Sequence, residues 1–131
     1  MKTLQLILAL GLIGITVPGC VHRSQTQSDP YLVAKVVRIS EEYANINTDV
    51  SGAQLHRWGI ARKESFIVKY KDHQVRALLG TGYGDVARGE WIALIEEDGL
   101  LQLAINFGNA ATAIGCAVGD TLYLEALGEG N

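Results

Sequence analysis

The feature that most constrains this chain is an apolar pattern of period two, broken into short runs by turn residues before any long helix could form. In "YANINTDV" (43–50), Ala44, Ile46, Thr48 and Val50 fall on one side and Asn45, Asn47 and Asp49 on the other. An extended backbone points successive side chains to opposite faces, so this alternation predicts a strand with one buried face. "YLVAKVVRI" (31–39) alternates in the same way, with Leu32, Ala34 and Val36 against Val33, Lys35 and Val37. "SFIVKYK" and "QVRALLG" enclose "DH" as a hairpin turn. "EWIALIEE" and "LLQLAINF" enclose "DG", a pair that accepts the left-handed backbone of a tight hairpin. "TLYLEA" follows the turn "VGD". Only "NAATAI" (109–114) reads as helix, with Asn109 placed to cap it. The pattern predicts an all-β domain, a small closed barrel or sandwich with one short helix.

The first residues have another character. Lys2 precedes an apolar run from Leu4 to Val17 that ends in small residues before Cys20, and the polar stretch "VHRSQTQSDP" follows directly. A membrane span needs about 20 apolar residues, so the run reads instead as a secretory signal peptide. "VPGC" resembles a bacterial lipobox with Cys20 as the lipidated residue, although Pro18 departs from the usual Ala or Ser; a plain secretory peptide is the alternative. The expected organisation is a signal peptide over 1–19, a lipidated Cys20 with a tether over 20–30, and one domain over 31–131. The protein is then expected on the bacterial cell envelope, held to the membrane by its lipid and facing the periplasm or exterior.

Charge narrows the partners. With 11 Lys and Arg against 14 Asp and Glu, and no basic run, the chain lacks the clustered cations that nucleic acid requires. Of its 2 cysteines lipidation would take one, leaving Cys116 in apolar "AIGCAVG", where a core thiol is expected. His22, His56 and His73 have polar or charged neighbours and no metal-ligand spacing, so no metal site is predicted. Glu41–Glu42 and Glu96–Glu97 flank turns, where solvated carboxylates belong. No Gly-x-Ser-x-Gly elbow or Gly-Lys-Ser/Thr phosphate loop occurs, and "GTGYGD" (80–85) lies between strands rather than before a long helix. What remains is a set of amides and rings: Tyr43, Asn45, Asn47, Tyr83, Asn106, Phe107 and Asn109. Such groups suit a purine, the amides reading the base edge and a ring packing on its face. Turn asparagines and a core phenylalanine are the commoner explanation of such residues.

Several segments in order carry a resemblance. "GYGDVARGE", "LQLAINFGNAATAIG" and "VGDTLYL" resemble the "TYGDV-x-x-GE", "LEIAVNQGNAA-x-x-LG" and "VGD" segments of the C-terminal domain of the S-adenosyl-L-methionine (SAM) hydroxide adenosyltransferases, relatives of the SAM-dependent fluorinases and chlorinases. "YANINTDV" is similar to the family's earlier "FGNL-x-TNI", with Tyr43 for Phe, Asn45 for Asn, Thr48 for Thr and Val50 for Ile; Ala44 and Asp49 depart from it. The resemblance implies a small β-barrel that, in the family, lies against the N-terminal domain of a neighbouring subunit in a trimer with the adenosyl group between them. It implies that Asn45 stands where the family's ligand-contacting Asn does, that Asn109 and Ala110 lie on the loop addressing adenine, and that Phe107 is nearby.

The family's N-terminal domain, which supplies most ribose contacts and the groups that activate water, has no counterpart in this sequence. The expected function is a lipid-anchored binding or interaction module without catalysis of its own. Adenosine or SAM is its expected ligand class, with an envelope protein or a second copy as partner, and no cofactor. The alternatives are half of a split enzyme hydrolysing SAM to adenosine and methionine, completed by a separate N-terminal domain, and a purely structural envelope lipoprotein.

Overall fold

The computed structural model describes residues 29–128, with Gly14 and Gly19 besides. The signal-peptide and Cys20 expectations fall outside the described residues. Among the described residues, no helix is long and apolar enough to cross a membrane.

The alternating runs become seven strands: β1 (Leu32–Ile39), β2 (Ile46–Ser51), β3 (Ser65–Tyr70), β4 (His73–Leu79), β5 (Trp91–Ile95), β6 (Leu100–Ile105) and β7 (Thr121–Ala126). They close into a barrel in the order β1-β2-β6-β5-β4-β3-β7, with β7 bonded back to β1. The fold is thus an all-β small barrel. Closure leaves no open edge, which removes the row of unpaired backbone groups that an isolated sheet presents.

One face of each strand fills the interior. Leu32, Ala34 and Val36 of β1, Ile46, Thr48 and Val50 of β2, and Phe66 and Val68 of β3 are buried there with Leu101, Leu103, Leu122 and Leu124. Phe66 is the largest fully buried side chain in this core.

Every neighbouring pair is antiparallel except β4 and β5, which run parallel with Ala77 beside Trp91 and Leu79 beside Ala93. Parallel neighbours cannot be joined by a tight turn, because the chain must travel back the length of a strand. Residues 80–90 make that return across the outside of the barrel, where Val86 and Leu78 pack on Ile92, Leu94 and Ala104. This crossover explains why Leu101 to Ala104 of β6 are buried on both faces.

The helical content is larger than the sequence pattern suggested. Besides α2 (Ala110–Ile114), the chain forms α1 (Gly52–Arg57) and one 3-10 turn at Tyr83–Asp85. α1 begins with a reciprocal cap: Ser51 Oγ accepts from Gln54 N at 3.2 Å, and Gln54 Oε1 accepts from Ser51 N at 2.8 Å. The spacing Ser-x-x-Gln is the sequence signature of that cap. Its Leu55 is fully buried in the barrel core.

Two boundaries also move. β2 starts at Ile46 rather than Tyr43, because Ala44 takes a left-handed backbone (φ 51°) that no strand accommodates. The hairpin between β3 and β4 turns at Lys71–Asp72, one residue earlier than "DH", with Tyr70 paired to His73 and Lys71 at φ 48°.

Candidate functional site

Three connections meet at the barrel end where β1 finishes and β2 begins, and backbone bonds lock them together. The first joins β1 to β2. Ser40 N donates to Asn45 O at 3.0 Å and Ser40 Oγ accepts from Asn45 N at 2.9 Å, so both backbone groups of Asn45 are fixed by one residue. The second joins β6 to α2. Gly108 N donates to Ile105 O at 3.1 Å, closing a tight turn over Asn106 and Phe107 that puts Phe107 at φ 59°. Gly108 is required in that turn, since a Cβ there would sit 2.6 Å from Ile105 Cγ2.

The third connection is the crossover. Its fold depends on Asp85, whose carboxylate accepts from Thr81 N (2.7 Å), Thr81 Oγ1 (3.3 Å) and Gly82 N (3.3 Å). These donors, Thr81 N–H foremost, hold the Asp85 carboxyl below its ordinary range. The crossover is stitched to the β6 turn by Gly89 N to Asn106 O (2.7 Å), Asn106 N to Glu90 O (3.0 Å) and Asn106 Nδ2 to Val86 O (3.0 Å). α2 is tied to the first connection in turn, as Ala111 N donates to Ala44 O at 2.9 Å.

Between them lies a cleft of about 540 Å³, lined by Tyr43, Asn45, Tyr83, Ile105, Asn106, Phe107, Gly108 and Asn109. Aromatic rings stand at its rim: Phe107 is 77% exposed, Tyr43 57% and Tyr83 42%. Large apolar side chains gathered in the open around one concavity are characteristic of a binding surface. The Arg88 guanidinium lies 4.7 Å from the centroid of the Phe107 ring and steadies it by a cation–π contact. The Glu42 carboxylate, by hydrogen bond and charge, pushes the Tyr43 phenol above its ordinary range.

Asn45 sits at the buried floor of the cleft. Its Nδ2 donates to Tyr83 Oη at 3.0 Å and to Gln102 Oε1 at 3.4 Å. Gln102, buried on β6, donates onward from Nε2 to Asn47 Oδ1 at 3.1 Å, and Arg38 Nη2 reaches the same oxygen at 3.3 Å. A polar side chain inside a wall of Leu and Ala is tolerated only when it is bonded, and the two buried amides, Asn45 and Gln102, both are.

The structure brings Asn45, Phe107 and Asn109 to one cleft. It does not bring Ala110 there. That residue is fully buried and does not line the cleft, its methyl packing in the core beneath α2 while it follows Asn109 directly on the loop. Asn109 occupies the N-cap position of α2, yet its side chain makes no capping bond and is exposed beside the cleft. Ala44 O meets the helix's Ala111 N–H instead. Gln102 went unremarked in the sequence. Its signal was one amide in the otherwise apolar run "LLQLAI", which on a strand buried on both faces demands a partner.

Elsewhere, Cys116 is buried with its thiol pushed up by that burial, and His56 and His73 are exposed. Among the described residues, no three His, Cys, Asp or Glu side chains converge as metal ligands would.

The fold and cleft define a small closed-barrel domain with a ring-and-amide concavity at one end. The chain belongs to the SAM hydroxide adenosyltransferase C-terminal domain family, whose model matches residues 34–123. Among solved structures it is similar to an uncharacterized conserved protein from Thermotoga maritima, at 18% identity and a TM-score of 0.69, over 74% of this chain and 36% of that one. It is also similar to a conserved hypothetical protein from Thermus thermophilus, at 21% identity and a TM-score of 0.51, over 73% and 36% respectively. At such identities the likeness concerns the fold, and this chain spans about a third of the length of those two proteins. No curated protein sequence matches it.

Proposed function

We propose that the protein is a binding module whose cleft takes the adenosine portion of a small ligand, carried on the cell envelope by a lipid on Cys20 and without catalysis of its own. The observation that carries this reading is the convergence of Asn45, Asn109 and the rings of Tyr43, Tyr83 and Phe107 on one cleft. Its volume suits a nucleoside, its rings offer faces to a planar base, and its amides offer edges. The lining contains no nucleophile and no paired acid and base, so the chemistry it supports is recognition. Family membership supports the same ligand class.

The test is calorimetric titration of the full chain in mild detergent with adenosine, SAM and methionine, beside an Asn109→Ala variant. Saturable heat with adenosine that weakens in the variant is expected. Absence of heat with both adenosine and SAM rejects the reading.

A second reading is favoured by the 77% exposure of Phe107 at the rim. The rings then dock a separate domain that completes a SAM-hydrolysing site. Adenosine and methionine released from SAM only when such a domain is supplied would establish it.

A further inference from the structure

The outer wall of the barrel on β1, β7 and β3 carries an apolar platform in water. The ladder sets Val33 of β1 beside Tyr123 of β7, and Tyr123 beside Lys69 of β3. Val33 and Tyr123 are exposed, pointing away from the core that Leu32, Leu122 and Leu124 fill. Tyr31, the residue before β1, meets the Tyr123 ring edge-on with 6.0 Å between centroids. Lys69 steadies the pair. Its Nζ lies 4.8 Å from the centre of the Tyr31 ring, donates to Tyr31 Oη at 3.1 Å and pairs with Glu125 at 2.9 Å.

The surroundings of the platform are cationic. Lys35, beside Thr121, and Arg76, beside Ile67, are exposed and form no ion pair among the described residues. Two carboxylates border the face. Glu125 is taken by Lys69, and Asp49 accepts from the Lys35 backbone N–H at 2.8 Å. A chain with more acidic than basic residues thus gathers cations around exposed rings on this wall.

The place where the chain enters the barrel says what covers that wall. Only residues 21–30 separate Cys20 from Tyr31, and even fully extended such a stretch reaches no more than ~40 Å. A lipid on Cys20 therefore holds the domain within about one domain diameter of the bilayer, and the platform is built around the entry residue itself. Tethering makes a contact too weak to hold a free domain effective. Tyrosine rings suit the level of lipid headgroups, where the ring meets apolar chains and the hydroxyl meets water, and lysine and arginine meet anionic phosphates there. A second copy fits less well, because a two-fold contact through this face would set the same cations against each other.

We propose that the outer face of β1, β7 and β3 docks on the bilayer surface, with Tyr31, Val33 and Tyr123 at headgroup level and Lys35, Lys69 and Arg76 on anionic headgroups. The inference rests on the membrane-anchored part of the reading above and is independent of its ligand. The cleft lies at the far end of β1, eight residues or ~26 Å from the entry point, so docking leaves it open to solvent.

The experiment reads the position of this face directly. A spin label is attached at Thr121→Cys, on β7 within the face, or at Ala87→Cys, on the crossover over β5 and β6, each in a Cys116→Ala background. The lipid-bearing protein is reconstituted into vesicles of phosphatidylethanolamine and phosphatidylglycerol. Collisions of the label with oxygen and with a water-soluble nickel chelate are then compared. On passing from detergent to vesicles the Thr121 label should lose nickel collisions and gain oxygen collisions, and the Ala87 label should change in neither. Val33→Glu with Tyr123→Glu, both at exposed positions, should return the Thr121 label to water while melting close to wild type.

Equal nickel access at the two labels, on protein that floats with the vesicles, overturns the docking and leaves the anchor standing. Shielding of Ala87 in place of Thr121 overturns it in favour of another face. Shielding of Thr121 already present in detergent, with broadening from a neighbouring label, overturns it in favour of paired copies. Equal shielding on vesicles of phosphatidylcholine alone overturns the part assigned to the cations. Protein that does not float with the vesicles overturns the lipid anchor and this inference with it.

Discussion

Thr48 offers a prediction that runs against hydrophobicity. It is fully buried on β2 at the place where that strand loses register with β6: Asn47 pairs with Gln102, but the next pair is Ser51 with Leu100. The extra residues on β2 leave ladder groups without their usual partners. Thr48 Oγ1 repairs the gap by donating to Leu101 O at 2.9 Å and accepting from Val50 N at 3.2 Å. Thr48→Val has nearly the same shape and is more apolar, yet it strips both backbone groups of their partner in a dry interior. Each of the two orphaned groups costs about 1–3 kcal/mol, and the added methyl returns ~1 kcal/mol, for a net loss of roughly 1–5 kcal/mol, centred near ~3 kcal/mol. Thr48→Ser keeps the hydroxyl and loses one buried methyl, a loss of ~1 kcal/mol. Urea unfolding of the three proteins should therefore rank wild type above Ser above Val, with the midpoint shifting and the slope unchanged. In a domain of this size a loss near ~3 kcal/mol should lower the melting temperature of the Val variant by roughly 10–20 °C. If Thr48→Val equals or exceeds the stability of Thr48→Ser, the hydroxyl is not what closes the gap in the ladder.

Two other perturbations follow from single contacts and a third from the sequence. A Cβ at Gly80 would lie 2.5 Å from Asp85 Oδ2 and 2.8 Å from Ile92 Cδ1, so Gly80→Ala should destabilise by about 1–3 kcal/mol and shift the crossover that carries Tyr83. Gly82→Ala meets no atom within 4 Å and should melt like wild type, and equal melting of the two variants rejects the steric account. Tyr70 Oη donates to Asp120 Oδ2 at 2.6 Å; this bond leads in holding the Asp120 carboxyl below its ordinary 3.8 and the Tyr70 phenol above its ordinary 10.0. A depressed carboxylate stabilises the fold above its unfolded value and stops as pH falls through the folded one. A raised phenol stabilises below its unfolded value and stops as pH climbs through the folded one. Tyr70→Phe should accordingly flatten both the acid and the strongly alkaline limbs of a melting-temperature profile, and unchanged limbs would count against the bond. For the envelope anchor, Cys20→Ser should move the protein out of the membrane fraction on cell fractionation; unaltered partition removes the lipid from the account.

The strands were legible because the barrel has one buried face per strand, which writes period two directly into runs such as "YANINTDV". What escaped had non-local or compact causes. The parallel β4–β5 pair depends on closure of the whole barrel, and two runs of similar composition carry no mark of their relative direction. α1 is only 6 residues long, too short for a helical period, and its Ser51-x-x-Gln54 cap was the sole local sign. Among the candidate site residues, Asn45 and Asn109 lie at strand and helix boundaries where the local sequence sets their place. Ala110 follows Asn109 directly, but one step along a helix turns a side chain by about 100°, and that turn takes it from cleft to core. Gln102 was hidden because its meaning depends on the crossover lying over it, 19 residues away in sequence at Tyr83.

The central claim is that one cleft, floored by Asn45 and rimmed by Phe107 and Asn109, receives an adenosine-like ligand. Its most direct measurement is an adenosine titration of the isotopically labelled chain followed through its amide resonances. The account predicts saturable shifts in the side-chain NH₂ signals of Asn45 and Asn109 and in the backbone from Ile105 to Asn109, with the outer face of β1 and β7 unmoved. Shifts concentrated away from the cleft, or none at ligand concentrations that saturate a nucleoside site, would contradict it.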